Sequence, residues 1–462
     1  MKLKALHLML TLVFAVSVVL AGCSGGTGGS QGNSGTQTSG NTNSSSNSNT
    51  STNTNTPAPE KPKEKVKITF WHVWSDKDSG PINERVAAFN EMQDEIIVEA
   101  LGNQDATKQL TAISGGNPPD IALTYWNNIG PWADAGAVLS LEEFIARDNY
   151  DLAQYVPAAL ERMVVNGEHY ALPLSMSMAS TLMYNKKAFA DAGITAPPET
   201  LEQMFEYAKQ LTKRDGSNIT QIGFIPDYPW IDNVFWPVIF GGSWVDENGK
   251  LTANQPANVA SIAYQRKFYE EFGDDQIAKF RSGMGQRGTP QDPLLTGQLA
   301  MMIGWEYNFA EERADDGPIG IAPFPYPEAN PELKGGGMVS PRAVFIPAKA
   351  KNADAAWEFM KYLLGVDSQV EFAIASKTIP SVLPALDDER LTKNEAMKTM
   401  WDFYERAKSE NLQGFPNSTY INEYLQALSE ETEKALKGTI SAQEAMDNVV
   451  KKIQPLADEA NK

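Results

Sequence analysis

The chain has 462 residues, of which 42% are hydrophobic and 10% aromatic. Such a chain can bury a full core, so it is not disordered as a whole, and its length predicts two domains, with three as the alternative. Lys and Arg total 39 against 58 Asp and Glu, a net charge of −19 that disfavours nucleic acid and anionic lipid surfaces as partners. The single cysteine excludes a disulfide within the chain and a cysteine-based metal site.

The N-terminus has the pattern of an export signal. Lys2 and Lys4 precede an apolar stretch over 5–21 that is too short to span a bilayer comfortably. The stretch ends in Leu-Ala-Gly-Cys, and this resembles the cleavage motif of bacterial lipoproteins. The resemblance implies a signal peptide over 1–22 and acylation of Cys23, which would then anchor the chain to the membrane. The alternative is an ordinary secretory signal with a chance cysteine.

A low-complexity segment follows. Residues 24–59 are Gly, Ser, Thr, Asn, Gln, Pro and one Ala, a composition that cannot offset the entropy of ordering. We therefore expect the lipidated cysteine and a disordered linker over 23–65, with an r.m.s. span of roughly 30–35 Å for the uncharged part. A linker of this length is similar to those of Gram-positive lipoproteins. The similarity implies a lipid-anchored protein on the outer face of the cell membrane.

The folded part opens with alternating strands and helices. Apolar periodicity predicts a strand at Val66–Trp71, a helix over 81–92, a strand at Ile96–Leu101, a helix over 105–114 and a strand over 120–123. Strands that alternate with helices indicate βαβ units, so the sequence predicts an α/β fold with a mainly parallel sheet.

Later segments carry clearer start and stop signals. Asn166-Gly167 predicts a tight hairpin. Thr200 with Gln203 three residues on predicts a capped helix start. A strand follows over 343–346 and a helix over 353–364, and the tail from 395 is helical almost throughout.

Five stretches match, in order, the motifs of a known family. They are ITFWHVW at 68–74, GGNPPDIAL at 115–123, YALPLSMSMASTLMYNKKAFADAGITAPPETLEQM at 170–204, LLTGQLAMMIGWEYNF at 294–309 and GGGMVSPRAVFIPAKAKNADAAWEFMKYLL at 335–364. They resemble the extracellular solute-binding proteins of ABC importers, the large type that includes maltose- and multiple-sugar-binding proteins. Each motif is weak alone, whereas five in this order and spacing are specific, and they cover nearly all of 66–462.

The resemblance implies a two-lobed, periplasmic-binding-protein-like fold with a ligand cleft between the lobes. Lobe one is expected over 66–177 plus 338–390, and lobe two over 178–337 plus 391–462, with Ser175–Met178 as a hinge before a strand at 181. It further implies capture of a carbohydrate, an oligosaccharide, by lobe closure and delivery to membrane permease subunits. No catalysis and no cofactor are expected, and the protein should be a monomer.

A sugar site needs aromatic rings for its C–H faces and carboxylates, amides or Arg for its hydroxyls. Ten Trp are present, and most stand at strand ends or in Gly/Pro-rich loops. In the first half of the chain the candidate ligand-binding residues are Trp74, Asp76, Lys77, Trp126 and Asn127. Asp76 and Lys77 could equally be a solvated loop pair.

The second half contributes a denser set. The candidates are Asp227, Tyr228, Trp230, Trp236, Trp244, Trp305, Glu306 and Arg342. Some of the 227–236 run must serve loop packing instead. Arg342 lies in an otherwise apolar strand, so it is either a donor in the cleft or an inter-lobe salt bridge. Trp305 follows an apolar strand and is the strongest single candidate.

Three other functions remain open from the residues alone. A secreted glycoside hydrolase would need two carboxylates about 5–10 Å apart, and 58 acidic residues cannot exclude such a pair. The same fold could bind a non-sugar solute such as a polyamine, because cation–π boxes also use Trp and carboxylates. An adhesin or scaffold without a ligand is the third. His72 and His169 lack metal-ligand spacing and are expected to be satisfied structural residues.

Overall fold

The structure is a computed structural model that describes residues 64–228, 234–246, 249–306 and 317–460. Its strands are β1 Val66–Trp71, β2 Ile96–Leu101, β3 Ile121–Tyr125, β4 Val164–Val165, β5 Glu168–His169, β6 Leu172–Asn185, β7 Lys213–Asp215, β8 Asn218–Gln221, β9 Met301–Trp305, β10 Ile319–Pro323, β11 Gly337–Phe345, β12 Ile379–Pro380 and β13 Leu412–Gln413. The predicted strands over 66–71, 96–101 and 120–123 are therefore present, the last shifted by one residue at its start and extended by two at its end.

The α-helices of the first half are α1 Gly80–Met92, α2 Ala106–Ser114, α3 Ile129–Asp134, α4 Glu142–Asp148, α5 Pro157–Leu160, α6 Lys186–Asp191 and α7 Leu201–Leu211. Those of the second half are α8 Phe235–Ile239, α9 Pro256–Phe272, α10 Asp274–Gly283, α11 Pro293–Thr296, α12 Ala353–Leu364, α13 Val366–Ser376, α14 Leu383–Leu386, α15 Glu389–Thr392, α16 Trp401–Arg406, α17 Ile421–Leu436 and α18 Ala442–Ala460. None of the helices in the described part of the chain has both the length and the apolar character that a membrane span requires.

Local signals in the sequence account for the boundaries of several elements. The Thr200 side chain accepts a hydrogen bond from the Gln203 backbone N–H at 3.3 Å and caps α7, as predicted. Asn166 and Gly167 both have positive φ, at 52° and 84°, and close the predicted hairpin between β4 and β5. This left-handed pair is the turn that matches the twist of two antiparallel strands.

One nine-stranded sheet dominates the described residues, with the order β10-β6-β11-β3-β1-β2 and with β9 and β12 on β6 and β13 on β11. The strands β2, β1 and β3 run parallel, as the βαβ pattern predicts. The pairs of β6 with β9, β10 and β11 and the pair of β3 with β11 are antiparallel, so the expectation of a mainly parallel sheet is wrong for that part, although β11 and β13 run parallel. The reason is that β6 pairs with strands that return from distant parts of the sequence rather than through crossover helices.

The fourteen-residue strand β6 joins the two halves of the sheet. Its first part pairs with β11 and β12, and from Ala179 onward it pairs with β9 and β10. The predicted hinge at Ser175–Met178 lies inside this continuous strand, not in a loop before a strand at 181, which corrects the expectation. Strand pairing on both sides holds the segment extended despite its two serines.

Candidate functional site

Polar side chains line one face of the sheet where β6 and β11 pair. In β11, Ser340 and Arg342 are half-buried and alternate with buried neighbours. Register places Ser340 opposite Ser177 of β6, and Arg342 opposite Tyr125, the last residue of β3. The β6–β11 register shifts between Pro341 and Ala343, so alternation along the strand is not sufficient by itself to place these residues on one face. Their shared half-burial in β11 and the contact between Arg342 and Tyr125 support one row of side chains. We call Tyr125, Ser177, Ser340 and Arg342 the polar stripe.

The aromatic end of the polar stripe is open to solvent. The side chain of Tyr125 is 44% exposed, and the guanidinium carbon of Arg342 lies 4.4 Å from its ring centroid. At this distance the guanidinium makes a cation–π contact with the ring. Tyr125 ends a strand of the parallel part of the sheet, the edge at which α/β sheets bind their ligands. Ring face and hydrogen-bond donors are thus presented side by side.

A buried carboxyl group flanks the stripe. Glu306 directly follows β9, is 2% exposed, and its Oε2 accepts a hydrogen bond from the Met178 backbone N–H at 2.8 Å. Burial raises the pKa of Glu306 to about 7, against the opposing effects of that hydrogen bond, a second one from the Ser177 hydroxyl, and the positive charge of Arg342. The carboxyl therefore ties the end of β9 to β6 and acts electrostatically on Arg342.

Trp305 precedes this glutamate as the last residue of β9. Its backbone pairs with Ala179 of β6, at the point where β6 changes partners, and its indole is half-buried. The structure thus places Glu306 against Met178 of β6 and within the electrostatic influence of Arg342, with Trp305 one residue before it in the chain.

The loop after β1 makes its contacts elsewhere. The Trp74 ring lies 5.6 Å from that of Phe372 in α13, and its carbonyl accepts from the Asn103 backbone N–H at 2.8 Å. Asp76 is exposed and accepts from the Asn103 side chain at 3.1 Å, and Lys77 is exposed. These two polar residues form a solvated loop in this conformation, which was the alternative interpretation of the pair.

The residues after β3 contact the C-terminal region. Trp126 is 5% exposed, lies 3.7 Å beneath the guanidinium carbon of Arg162, and its carbonyl accepts from Asn417 at 3.2 Å. Asn127 is half-buried and donates to Asn422 at 3.4 Å. Trp126 therefore serves packing in this conformation, whereas Asn127 remains partly accessible.

Two predicted tryptophans lie in the core. Trp236 is 1% exposed and its indole N–H donates to the Pro226 carbonyl at 3.0 Å. Trp244 is 2% exposed and packs against Phe415 and Tyr424, with ring centroids 5.3 and 6.1 Å away. Neither ring presents a free face to solvent, because flanking aromatic residues cover both.

Asp227 belongs to a different cavity. It pairs with Arg281 and accepts from the Tyr269 hydroxyl at 2.6 Å. The three residues line a cavity of about 480 Å³ among α9, α10 and α17. Tyr228 beside them is half-buried. Trp230 and Cys23 lie outside the described residues.

No metal centre is evident in the part of the chain that the structure describes, where no three His, Cys, Asp or Glu side chains group as metal ligands. His72 is buried, and burial lowers its pKa. His169 contacts the Glu142 carboxylate through Nδ1 at 2.7 Å. The expectation of a satisfied histidine therefore fits His169, whereas the buried Nδ1 of His72 has no hydrogen-bond partner among the described residues.

Sequence analysis missed Tyr125, Ser177 and Ser340. A signal was present: each of Ser177, Ser340 and Arg342 interrupts an apolar strand at an alternate position. Their convergence depends on the register of three strands that are distant in sequence, and no local pattern encodes that register.

The sequence of this chain is similar to those of known binding proteins. A maltotriose-binding protein of Pyrococcus abyssi is 23% identical over 342 residues, 71% of this chain and 69% of that protein. An sn-glycerol-3-phosphate-binding periplasmic protein of Brucella abortus is 25% identical over 410 residues, 84% and 92% of the two chains.

Solved structures share the fold. The cyclic alpha-maltosyl-1,6-maltose binding protein of Arthrobacter globiformis has a TM-score of 0.71 at 19% identity, over 86% of this chain and all of that one. The likeness to such proteins shows the predicted two-lobed fold. The family described as bacterial extracellular solute-binding protein matches residues 75–370, more than half of the chain. The chain belongs to the bacterial extracellular solute-binding protein family.

Proposed function

We propose that this protein is the extracellular receptor of an ABC importer and that it captures a carbohydrate, in particular an oligosaccharide, for delivery to membrane permease subunits. The observation that carries the proposal is the polar stripe beside Trp305. The exposed ring of Tyr125 suits the C–H face of a sugar, and the guanidinium of Arg342 donates to hydroxyl groups. Such a mixed surface fits a polyol better than a purely apolar or purely charged ligand.

The relatives support the carbohydrate class. One is named for maltotriose and a structural neighbour for a cyclic maltose derivative, whereas another relative is named for sn-glycerol 3-phosphate. A glycoside hydrolase is disfavoured because the family and these neighbours are named as binding proteins. A non-sugar solute in the same fold, such as a polyamine, is the remaining alternative.

Ligand capture would use closure of two lobes, 66–177 with 338–390 and 178–337 with 391–462. Support comes from the exchange of strand partners by β6 at Met178 and Ala179, which coincides with the boundary at 177. A ligand that contacts both lobes favours the closed form by its differential affinity for that form. In this proposal the remaining candidates on the loops of lobe one, including Trp74, Lys77 and Asn127, contact the ligand only after closure.

The proposal extends to the location of the protein. Acylation of Cys23 would hold a monomeric receptor at the outer face of the membrane, and the segment over 24–65 would let it reach the permease. The export pattern of the first 23 residues and the uncharged composition of the linker support this.

Thermal unfolding with a panel of sugars tests the function. Maltotriose, mannobiose and cellobiose are added in turn, and a ligand at about 100 times its Kd stabilises the protein by about 2.7 kcal/mol. Replacing Arg342 with Gln should weaken binding about 10- to 100-fold, because a charged hydrogen-bond donor is lost.

Arg147→Gln is the matched control, since Arg147 also stacks on an aromatic ring, that of Phe144 at 5.0 Å, but on α4. It should leave the ligand-induced shift unchanged. A wild-type protein that no sugar stabilises, or that shortens the added sugars, would refute the proposal.

A further inference from the structure

The polar stripe contains one positively charged side chain, that of Arg342, which could attract anionic ligands as well as neutral ones. Arg342 is half-buried, and its guanidinium is oriented by Tyr125. An uncompensated guanidinium in a cleft recruits carboxylates and phosphates, which it binds in a bidentate manner. The relatives named for maltotriose and for sn-glycerol 3-phosphate differ in this very property, the charge of the ligand.

Glu306 supplies the opposite charge from inside the protein. Its carboxyl is 2% exposed, so solvent contributes little to its stabilisation, and it depends on the Met178 N–H and the Ser177 hydroxyl. The positive charge of Arg342, in β11, also favours the ionised form of this carboxyl, although burial outweighs this effect. When Glu306 is ionised, the two groups together carry no net charge.

We propose that Glu306 sets the charge selectivity of the site, reserving Arg342 for the hydroxyl groups of uncharged sugars and excluding anionic ligands such as uronates and phosphate esters. This inference rests on the proposed function. It assigns Glu306 as a positioning and selectivity residue that does not itself touch the ligand.

The exclusion follows from electrostatics in a medium of low polarity. An anion bound to Arg342 would bring a second negative charge close to a carboxylate that water cannot screen. The complex would form only if Glu306 took up a proton. A hydroxyl oxygen accepts a hydrogen bond from the same guanidinium without this cost. Because burial raises the pKa of Glu306 to about 7, the carboxyl is mostly ionised in mildly alkaline solution and mostly neutral in mildly acidic solution.

Binding measurements on the full chain test the proposal. Neutral probes are maltotriose, mannobiose and cellobiose, and anionic probes are dimannuronate, the dicarboxylate counterpart of mannobiose, and sn-glycerol 3-phosphate. At about pH 8 the wild type should bind a neutral sugar and prefer it to either anion by about 100-fold. Glu306→Gln should tighten anion binding by about ten-fold or more and weaken neutral binding by less.

Glu431→Gln is the matched control. Glu431 is also buried, but it lies in α17 with Lys434 and Asn448 as partners. It should leave both affinities unchanged.

Two results would overturn the charge-selectivity role alone: an unchanged neutral-to-anion ratio in Glu306→Gln, or a wild type that prefers an anion. Failure of the proposed function looks different, since the folded wild type would then bind no carbohydrate at all, and the selectivity role would fall with it.

If Glu306→Gln does not fold, the wild type alone decides the matter. Lowering the pH from about 8 to about 6 should raise the affinity for dimannuronate relative to the neutral sugar by about three-fold or more, because Glu306 becomes protonated. The carboxyls of dimannuronate stay ionised throughout this range. A constant ratio across it would refute the proposal.

Discussion

The buried carboxyl of Glu306 links the site to the stability of the fold. Its pKa in the folded chain is about 7, above the ordinary value of 4.5, mainly because burial disfavours the charged form. Below the ordinary value both folded and unfolded chains hold the proton. As the pH rises from there, the unfolded chain loses its proton first, so the contribution of this group to stability falls until the pH exceeds about 7.

The Glu306→Gln variant should therefore gain stability relative to the wild type as the pH rises. The shift from 4.5 to about 7 corresponds to about 3 kcal/mol, and the gain should develop between about pH 5 and about pH 8. Urea unfolding of both proteins at the two pH values measures it. If the free energies of unfolding of the variant and the wild type differed by the same amount at both pH values, the assignment of a raised pKa would be contradicted.

Glu431→Gln is again the control, and here the pKa shift and its effect on stability have the opposite direction. Burial raises the pKa of Glu431, but hydrogen bonds from Lys434 and Asn448 outweigh that effect, and the net pKa is lowered. Its contribution to stability is present at neutral pH and is lost in acid.

At the scale of elements, the segment that carries Phe415 to Ser418 connects distant parts of the chain. The Phe415 ring lies between those of Trp126 and Trp244, with centroid distances of 6.4 and 5.3 Å. Asn417 donates to the carbonyls of Trp126 and Arg162 at 3.2 and 2.9 Å. This segment directly precedes the last two helices, α17 and α18. Its contacts therefore hold the C-terminal part of the chain against the region after β3.

This docking requires a glycine at position 130 in α3. A Cβ at Gly130 would lie 2.1 Å from the Ser418 carbonyl oxygen, and backbone atoms cannot move aside as a flexible side chain can. Gly130→Ala should destabilise the protein by about 1–3 kcal/mol through overpacking, measured as the free energy of unfolding in urea.

Gly80→Ala is the control, because Gly80 begins α1 and a Cβ there has no heavy atom within 4 Å. Its stability should be equal to or slightly above that of the wild type. A Gly130→Ala protein as stable as this control would refute the close approach.

At the scale of the whole molecule, the proposed location at an anionic membrane requires an attraction other than charge. With a net charge of −19, the chain is repelled by anionic headgroups. Acyl chains on Cys23 would supply the attraction, at about 0.8 kcal/mol for each buried methylene group. In that proposal the uncharged segment 24–59 would separate the folded part from the surface.

Metabolic labelling of cells with a fatty acid tests the anchor. The wild type should incorporate the label and sediment with membranes, and Cys23→Ser should incorporate none, because the thiol that accepts the lipid is gone. Ser24→Ala, a change at the next residue, should retain the label. Equal labelling of Cys23→Ser and the wild type would exclude Cys23 as the attachment site.

Local structure and family membership could be predicted from the sequence itself. The strand Ile96–Leu101 and the helix Ala353–Leu364 begin and end where apolar periodicity predicted, and Asn166-Gly167 closes its hairpin. These features depend on residues within about one turn or one strand of each other, so a short window of sequence contains their cause. The order of five motifs was enough to identify the family.

Tertiary structure alone decided which side chains share a site. Trp236 and Trp244 stand among turn residues, as ligand-binding tryptophans do, yet distant aromatic residues cover them. Ser177 and Arg342 converge because β6 pairs with β11, although more than 160 residues separate them, and Tyr125 joins them because β3 pairs with β11. The cause is physical: burial and strand register depend on contacts between parts of the chain that are far apart in sequence, and a pattern of neighbouring residues does not contain them.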